Sequence, residues 1–198
     1  MRVPKWVCVL FLAPLALAAE TMDVSVCPMG RVNPKDVAAA RTQAAALFAA
    51  MGVEIVWRDC EAAPIGVAAT QQHWFTVRLR DDGPAVRSEI ASADTLGEAF
   101  FSDEGGYVAD VYYHEILTLA ARKGIDEAPL LAYVMAHELG HLLLGPAHAP
   151  CGIMRASWDR NDLDAVRMGW LQFGPSEIAR IHKVLQRTAA PPPPSVAS

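Results

Sequence analysis

The chain has 198 residues, of which 53% are hydrophobic and 20% are charged. This composition fits one globular domain with a real core and excludes a disordered or fibrous protein. The formal net charge is −5, and no cluster of Lys and Arg offsets it. A phosphate-binding surface would need such a cluster, so nucleic acid is excluded as the expected partner.

The first 19 residues predict a secretory signal peptide. Arg2 and Lys5 precede an apolar run from Trp6 to Ala18, and small residues end that run, as in a cleavable leader. The run is shorter than the about 20 apolar residues that a membrane span needs. We therefore expect an extracellular or periplasmic protein with no stable membrane insertion, and a retained N-terminal anchor is the alternative. Loss of Arg2 and Lys5 would change the charge to −7.

The segment after the leader predicts a strand, a helix and a second strand. Met22–Cys27 alternates apolar and polar residues, as a strand does. Asn33 is a suitable N-cap, Pro34 suits the first helical position, and Gly52 ends the helix before the strand Val53–Arg58. Two strands joined through a helix lie parallel and are usually neighbours.

Three cysteines remain once the leader is removed. Cys27 ends the first predicted strand and Cys60 follows the second. The two cysteines therefore lie at the same ends of neighbouring parallel strands, and we expect a disulfide between them. Cys151 is left over, since an odd number allows at most one internal bridge. Cys151 could be a metal-bound thiolate, a latch on a metal site or a free thiol. We favour the free thiol, because a bound thiolate would replace the water that a catalytic zinc needs.

The remaining strands are predicted from the alternation of apolar and polar residues. The remaining helices are predicted from prolines near their first turn and glycines after their last. In chain order they are strands at Trp74–Arg80, Leu96–Phe101 (weaker) and Tyr107–Tyr113, and helices at His114–Lys123, Pro129–Leu144 and Pro175–Arg187. The domain is thus expected to span residues 20–188. Residues 189–198 contain four consecutive prolines and predict a disordered tail.

The helix at Pro129–Leu144 carries the pattern of a zinc site. His137 and His141 are four residues apart, so both imidazoles project from the same face and can bind one ion. Glu138 is placed as a general base rather than a ligand. Gly145 breaks the helix, as is needed for the chain to turn back, and His148 follows as the expected third ligand. The alternatives are two incidental surface histidines and a loop histidine without a metal.

The run His-Glu-Leu-Gly-His-Leu-Leu-Leu-Gly, followed by His148 and by Gly-Ile-Met at residues 152–154, resembles the signature of metzincin-clan zinc peptidases. It is also similar to a group of secreted bacterial metzincin-like proteins. The clan signature has two residues between its second His and its Gly, whereas three separate His141 from Gly145 here. His148 must therefore reach the metal along a different path, or a nearby group replaces it.

The resemblance implies an α+β, zincin-like domain of the metzincin type. In it a twisted, mixed and mostly parallel sheet packs on the active-site helix, a smaller helical part lies at the C-terminus, and Leu96–Phe101 is the edge strand beside the cleft. Met154 would form the floor under one catalytic Zn²⁺. The implied protein is a monomeric, secreted zinc endopeptidase that acts on peptides or proteins.

Two other functions fit the same residues. One is a non-catalytic zinc-binding module for adhesion or interaction, and the other is a zinc hydrolase of a non-peptide substrate. Glu138 argues against the first, because a structural zinc site needs no base and usually fills four positions with His or Cys.

Three further features are interpreted without a catalytic role. Trp158 and the acidic stretch Asp159–Asp164 could line the cleft or bind calcium, although no complete calcium-loop pattern is present. His73 and His182 are expected to be surface residues. His114 and Glu115 form a His-Glu pair, but no second histidine follows at the spacing that a zinc motif requires.

Overall fold

The computed structural model describes residues 20–60, 73–82, 95–102 and 105–188. The predicted signal peptide and the predicted tail lie outside these described residues. None of the helices in the described part is both long and apolar enough to cross a bilayer.

Five strands form one sheet, in the order β2-β1-β3-β5-β4. They are β1 (Glu20–Met29), β2 (Val53–Asp59), β3 (Trp74–Arg80), β4 (Gly97–Ser102) and β5 (Gly105–Tyr112). β1 is parallel to both β2 and β3, and β3 is parallel to β5. β4 is antiparallel to β5 and forms one edge. The prediction of a mixed, mostly parallel sheet with this edge strand is confirmed.

Five helices complete the described fold. They are α1 (Pro34–Ala49), α2 (Tyr113–Lys123), α3 (Glu127–Leu144), α4 (Arg160–Met168) and α5 (Pro175–Thr188). The side chain of Asn33 accepts a hydrogen bond from the Lys35 amide, as the N-cap prediction requires. α2 ends at Gly124, whose φ of +64° is a conformation that glycine adopts without strain.

α3 is the central helix of the protein. It contacts α1, α2, α4 and α5 as well as β3, β4 and β5. Nearly every side chain between Leu130 and Leu143 is buried, which is the pattern of a helix covered on all sides. The residues of the predicted zinc motif are therefore held on a rigid element inside the core.

A disulfide joins Cys27 to Cys60, with their Cα atoms 4.6 Å apart. The bond follows from the topology, because β1 and β2 are parallel neighbours and the two cysteines lie at the same end of the pair. The predicted pairing is confirmed. Cys151 is an exposed free cysteine.

The acidic stretch Asp159–Asp164 begins α4, a helix that the sequence did not predict. Asp159 Oδ1 accepts hydrogen bonds from the amides of Asn161 and Asp162, and the Asp162 carboxylate accepts one from the Asp159 amide. Arg155 pairs with both carboxylates, at 2.6 and 2.5 Å. These acids therefore cap a helix and bind an arginine, and the suggestion of a calcium site is not supported.

His73 and His182, which the sequence predicts as surface residues, each have a specific partner in the fold. Both are half-buried. His182 Nδ1 lies 2.7 Å from Glu20 Oε2, and His73 Nε2 lies 3.0 Å from the carbonyl oxygen of Leu185. They attach α5 to the start of β1 and to the residue that precedes β3.

Candidate active site

Three histidines converge at the C-terminal end of α3. The Nε2 atoms of His137 and His141 are 3.0 Å apart, and the Nε2 atoms of His141 and His148 are 3.2 Å apart. In the described part of the chain, these three residues form the one group of His, Cys, Asp or Glu placed to hold a metal, with ligand atoms within 4.8 Å of one another. Cys151 is not in the group.

Gly145 brings His148 into this group despite the additional residue before it. α3 ends at Leu144, and the Gly145 amide donates to the His141 carbonyl at 2.8 Å. Gly145 then has φ of +89° and ψ of −175°, a region that is essentially restricted to glycine. The sharp turn directs the chain back over the helix end. The role predicted for Gly145 as a helix break agrees with this geometry.

Two backbone carbonyls hold the imidazole rings. Nδ1 of His137 lies 2.7 Å from the Ile153 oxygen, and Nδ1 of His141 lies 3.0 Å from the Gly145 oxygen. A carbonyl can only accept, so each Nδ1 carries its hydrogen and each Nε2 presents a lone pair. Lone pairs that face one another at this distance repel unless a cation lies between them. Bonds of 2.0–2.1 Å to a tetrahedral zinc would place nitrogen atoms about 3.3 Å apart, so the donor set fits zinc.

The protonation state of the His137 and His141 rings also favours metal binding. Burial lowers the pKa of His137 to about 4, although the hydrogen bond with the Ile153 oxygen opposes that shift. Burial also lowers the pKa of His141. Both rings are therefore neutral at pH 7, which is the form that binds a metal.

Glu138 lies beside this group in a buried position. Its side chain is 4% exposed, and no described group hydrogen-bonds to its Oε2 atom. Burial raises the pKa of Glu138 to about 8, and the charge of Glu98 adds to the shift. A buried carboxyl oxygen without a partner is costly to a fold, and carboxyl groups with a raised pKa are frequent at catalytic sites.

Gly97 at the start of β4 lies directly against Glu138. A Cβ atom on Gly97 would lie 2.6 Å from Oε1 and 2.8 Å from both Cδ and Cγ of Glu138. The missing side chain thus lets the edge strand cover the carboxyl group. Gly97 is not among the site residues that the sequence predicts, although a glycine inside a strand often marks a close approach.

Met154 lies beneath the same helix. It is buried, and a Cβ atom on Gly140 would overlap its sulfur and lie 3.0 Å from Phe173 Cε1. The turn that carries Met154 is held by a hydrogen bond from the Ala149 amide to the Met154 oxygen, at 2.8 Å. Met154 therefore packs against α3 at Gly140, which lies between the two motif histidines.

A cleft of about 720 Å³ opens over the histidines and Glu138. It is lined by Thr95, Leu96 and edge strand β4, and also by residues of α2, α4 and the segment Arg155–Trp158. An open groove beside the edge strand of a sheet can accept an extended chain, because a peptide can pair with such an edge as an added strand.

Substitution Gly97→Ala tests the contact between β4 and Glu138. We expect the added methyl group to displace the carboxylate, so kcat for any hydrolysis at this site falls by about 10-fold or more, while zinc content and KM change little. Steady-state kinetics and metal analysis measure these quantities. Wild-type kcat in Gly97→Ala would show that the contact does not position Glu138.

The fold of this chain is similar to the folds of solved structures. An archaemetzincin from Methanopyrus kandleri is similar with a TM-score of 0.54 and 15% sequence identity, over 87% of this chain and 100% of that chain. The fold is zincin-like. A metalloproteinase-II from Bacteroides fragilis aligns with a TM-score of 0.49 and 12% identity, over 84% of this chain and 53% of that chain. No protein-family model and no curated protein sequence matches the chain.

The similarity confirms the fold class that the sequence predicted. It covers 87% of this chain, so the zincin-like fold extends well beyond the motif itself. At 15% identity it shows the fold, and any activity has to be argued from the site itself.

Proposed function

We propose that this protein is a secreted zinc endopeptidase, with His137, His141 and His148 as the metal ligands and Glu138 as the general base. The observation that carries the proposal is the convergence of three Nε2 atoms beside a buried carboxyl group in an open cleft. The similarity in fold to an archaemetzincin supports it. One catalytic Zn²⁺ is the proposed cofactor.

The three histidines would supply three protein ligands to a zinc ion, which is the number that catalytic rather than structural zinc sites have. Zinc bound there would polarise the scissile carbonyl and lower the pKa of a coordinated water. The Nδ1 hydrogen bonds to the Ile153 and Gly145 oxygens keep two rings oriented for that task.

Glu138 is proposed to move the proton. Its carboxyl group takes a proton from the attacking water and delivers it to the nitrogen of the leaving amine. Burial raises the pKa of Glu138 to about 8, and a dication beside it would lower that pKa again. The group can therefore both accept and release a proton near neutral pH.

The cleft favours a peptide bound in extended form. Edge strand β4 lines the cleft beside Glu138, and a peptide strand paired with β4 would place its backbone across the histidines. The groove continues past the histidines to Arg155–Trp158. Cleavage inside a chain, rather than at its end, is the activity that this shape supports.

Secretion is proposed from two features. The first 19 residues have the pattern of a signal peptide, and a disulfide joins Cys27 to Cys60, a bond typical of oxidising compartments. We propose one domain over residues 20–188 and a monomeric protein.

Cleavage of a peptide library by purified protein tests the proposal. We expect cleavage at internal bonds that stops when zinc is chelated and returns when about one equivalent of zinc is added. Mass spectrometry of the products identifies the bonds. Cleavage that continues without metal would contradict the proposal, and zinc binding with no hydrolysis would favour a non-catalytic module.

A further inference from the structure

Trp158 contacts the proposed metal site through two kinds of interaction. It lies between the Met154 turn and α4, is half-buried and lines the cleft. Its Nε1–H donates to the carbonyl oxygen of Ile153 at 3.2 Å. Its ring meets the ring of His137 edge to face, with centroids 5.9 Å apart and an interplanar angle of 87°.

The Ile153 oxygen therefore accepts two hydrogen bonds, one from Trp158 and one from Nδ1 of His137 at 2.7 Å. A carbonyl oxygen has two lone pairs, so both donors can be satisfied at once. The bond from Trp158 fixes the direction of this oxygen, and the oxygen in turn fixes the ring plane and the hydrogen position of His137.

Tyr133 also contacts the indole of Trp158. It is fully buried, and its ring meets that of Trp158 edge to face with centroids 6.4 Å apart. Tyr133 and His137 are four residues apart on α3, so their side chains lie on the same helix face. The indole is thus held against two successive turns of the helix that carries the motif.

From these contacts we infer that Trp158 is a positioning residue for His137, acting through the shared Ile153 oxygen and through its ring contact. The inference rests on the proposed zinc site, and it assigns a role to a residue outside the motif. Loss of the indole N–H removes one of the two bonds that hold the oxygen, so His137 becomes less ordered in the protein without metal. Zinc then binds more weakly, because the ordering of the ring has to occur on binding.

The experiment compares Trp158→Phe, which keeps an aromatic ring and removes the donor, with Trp170→Phe as the control. Trp170 is 72% exposed and does not line the cleft. Zinc affinity is measured by competition with a chromophoric chelator. We expect about 10-fold weaker binding in Trp158→Phe and wild-type affinity in Trp170→Phe. Affinity within twofold of wild type in a folded Trp158→Phe would overturn the inference.

A second measurement uses the wild-type protein, so it does not depend on the folding of a variant. The indole N–H resonances of Trp158 and Trp170 are followed by ¹⁵N–¹H correlation spectroscopy as zinc is added. We expect the Trp158 signal to shift until one equivalent is bound and the Trp170 signal to stay in place. An unmoved Trp158 signal during tight zinc binding would overturn the inference, whereas absence of zinc binding would count against the proposed function itself.

Discussion

Glu138→Gln is expected to abolish nearly all hydrolysis while the protein keeps its zinc. The substitution preserves the size of the side chain and removes the group that accepts a proton, and loss of a general base costs about 10²–10⁴-fold in rate. Glu138 does not belong to the group of metal-ligating atoms, so the affinity for zinc should stay close to that of wild type.

Two quantities are measured on each protein preparation: kcat for a peptide selected from the library, and the zinc content. Glu54→Gln is the matched control, because Glu54 is an exposed carboxylate on the distant edge strand β2 and its loss should leave turnover unchanged. Turnover in Glu138→Gln equal to that of wild type would show that another group moves the proton. Loss of zinc from this variant would show instead that Glu138 supports the metal site.

Removal of one ligand histidine is expected to release the metal. His141 lies between the other two, at 3.0 and 3.2 Å from their Nε2 atoms, and its alanine variant should purify with less than about a tenth of an equivalent of zinc. His148→Ala should behave in the same way, if the turn at Gly145 makes His148 a full ligand.

Thermal unfolding gives a second readout for these variants. Zinc at about 1,000 times its Kd should stabilise the wild-type protein by about 4 kcal/mol, and it should not stabilise either alanine variant. His114→Ala, in an exposed position on α2, is the control and should respond like wild type. Full zinc retention in His148→Ala would require a different third ligand.

Much of the fold was predictable because its signals are local. The alternation at Trp74–Arg80 and the N-cap at Asn33 depend on neighbouring residues, and each appears in the structure where the sequence predicts it. The disulfide needed one additional step, since parallel pairing of two strands around a helix is a general rule of topology. The pair His137 and His141 was identified by spacing on a helix, which is also local.

The remaining features depend on conformation that spacing does not encode. The path to His148 is set by the dihedral angles of Gly145, which the spacing of the motif does not specify. The carbonyl oxygens of Ile153 and Gly145 hold the rings, but backbone atoms leave no signal in the residue types. α4 was missed because Asp159–Asp164 reads as an acidic run, while its capping box and its pairing with Arg155 become visible only in three dimensions.

Anomalous diffraction from a crystal of the zinc-loaded protein, collected on both sides of the zinc absorption edge, tests the central claim most directly. The claim predicts a single strong peak between the Nε2 atoms of His137, His141 and His148, with the Glu138 carboxyl group nearby and not bound to the metal. A zinc peak at another place, or a metal at this place with only two of the histidines bound, would contradict it.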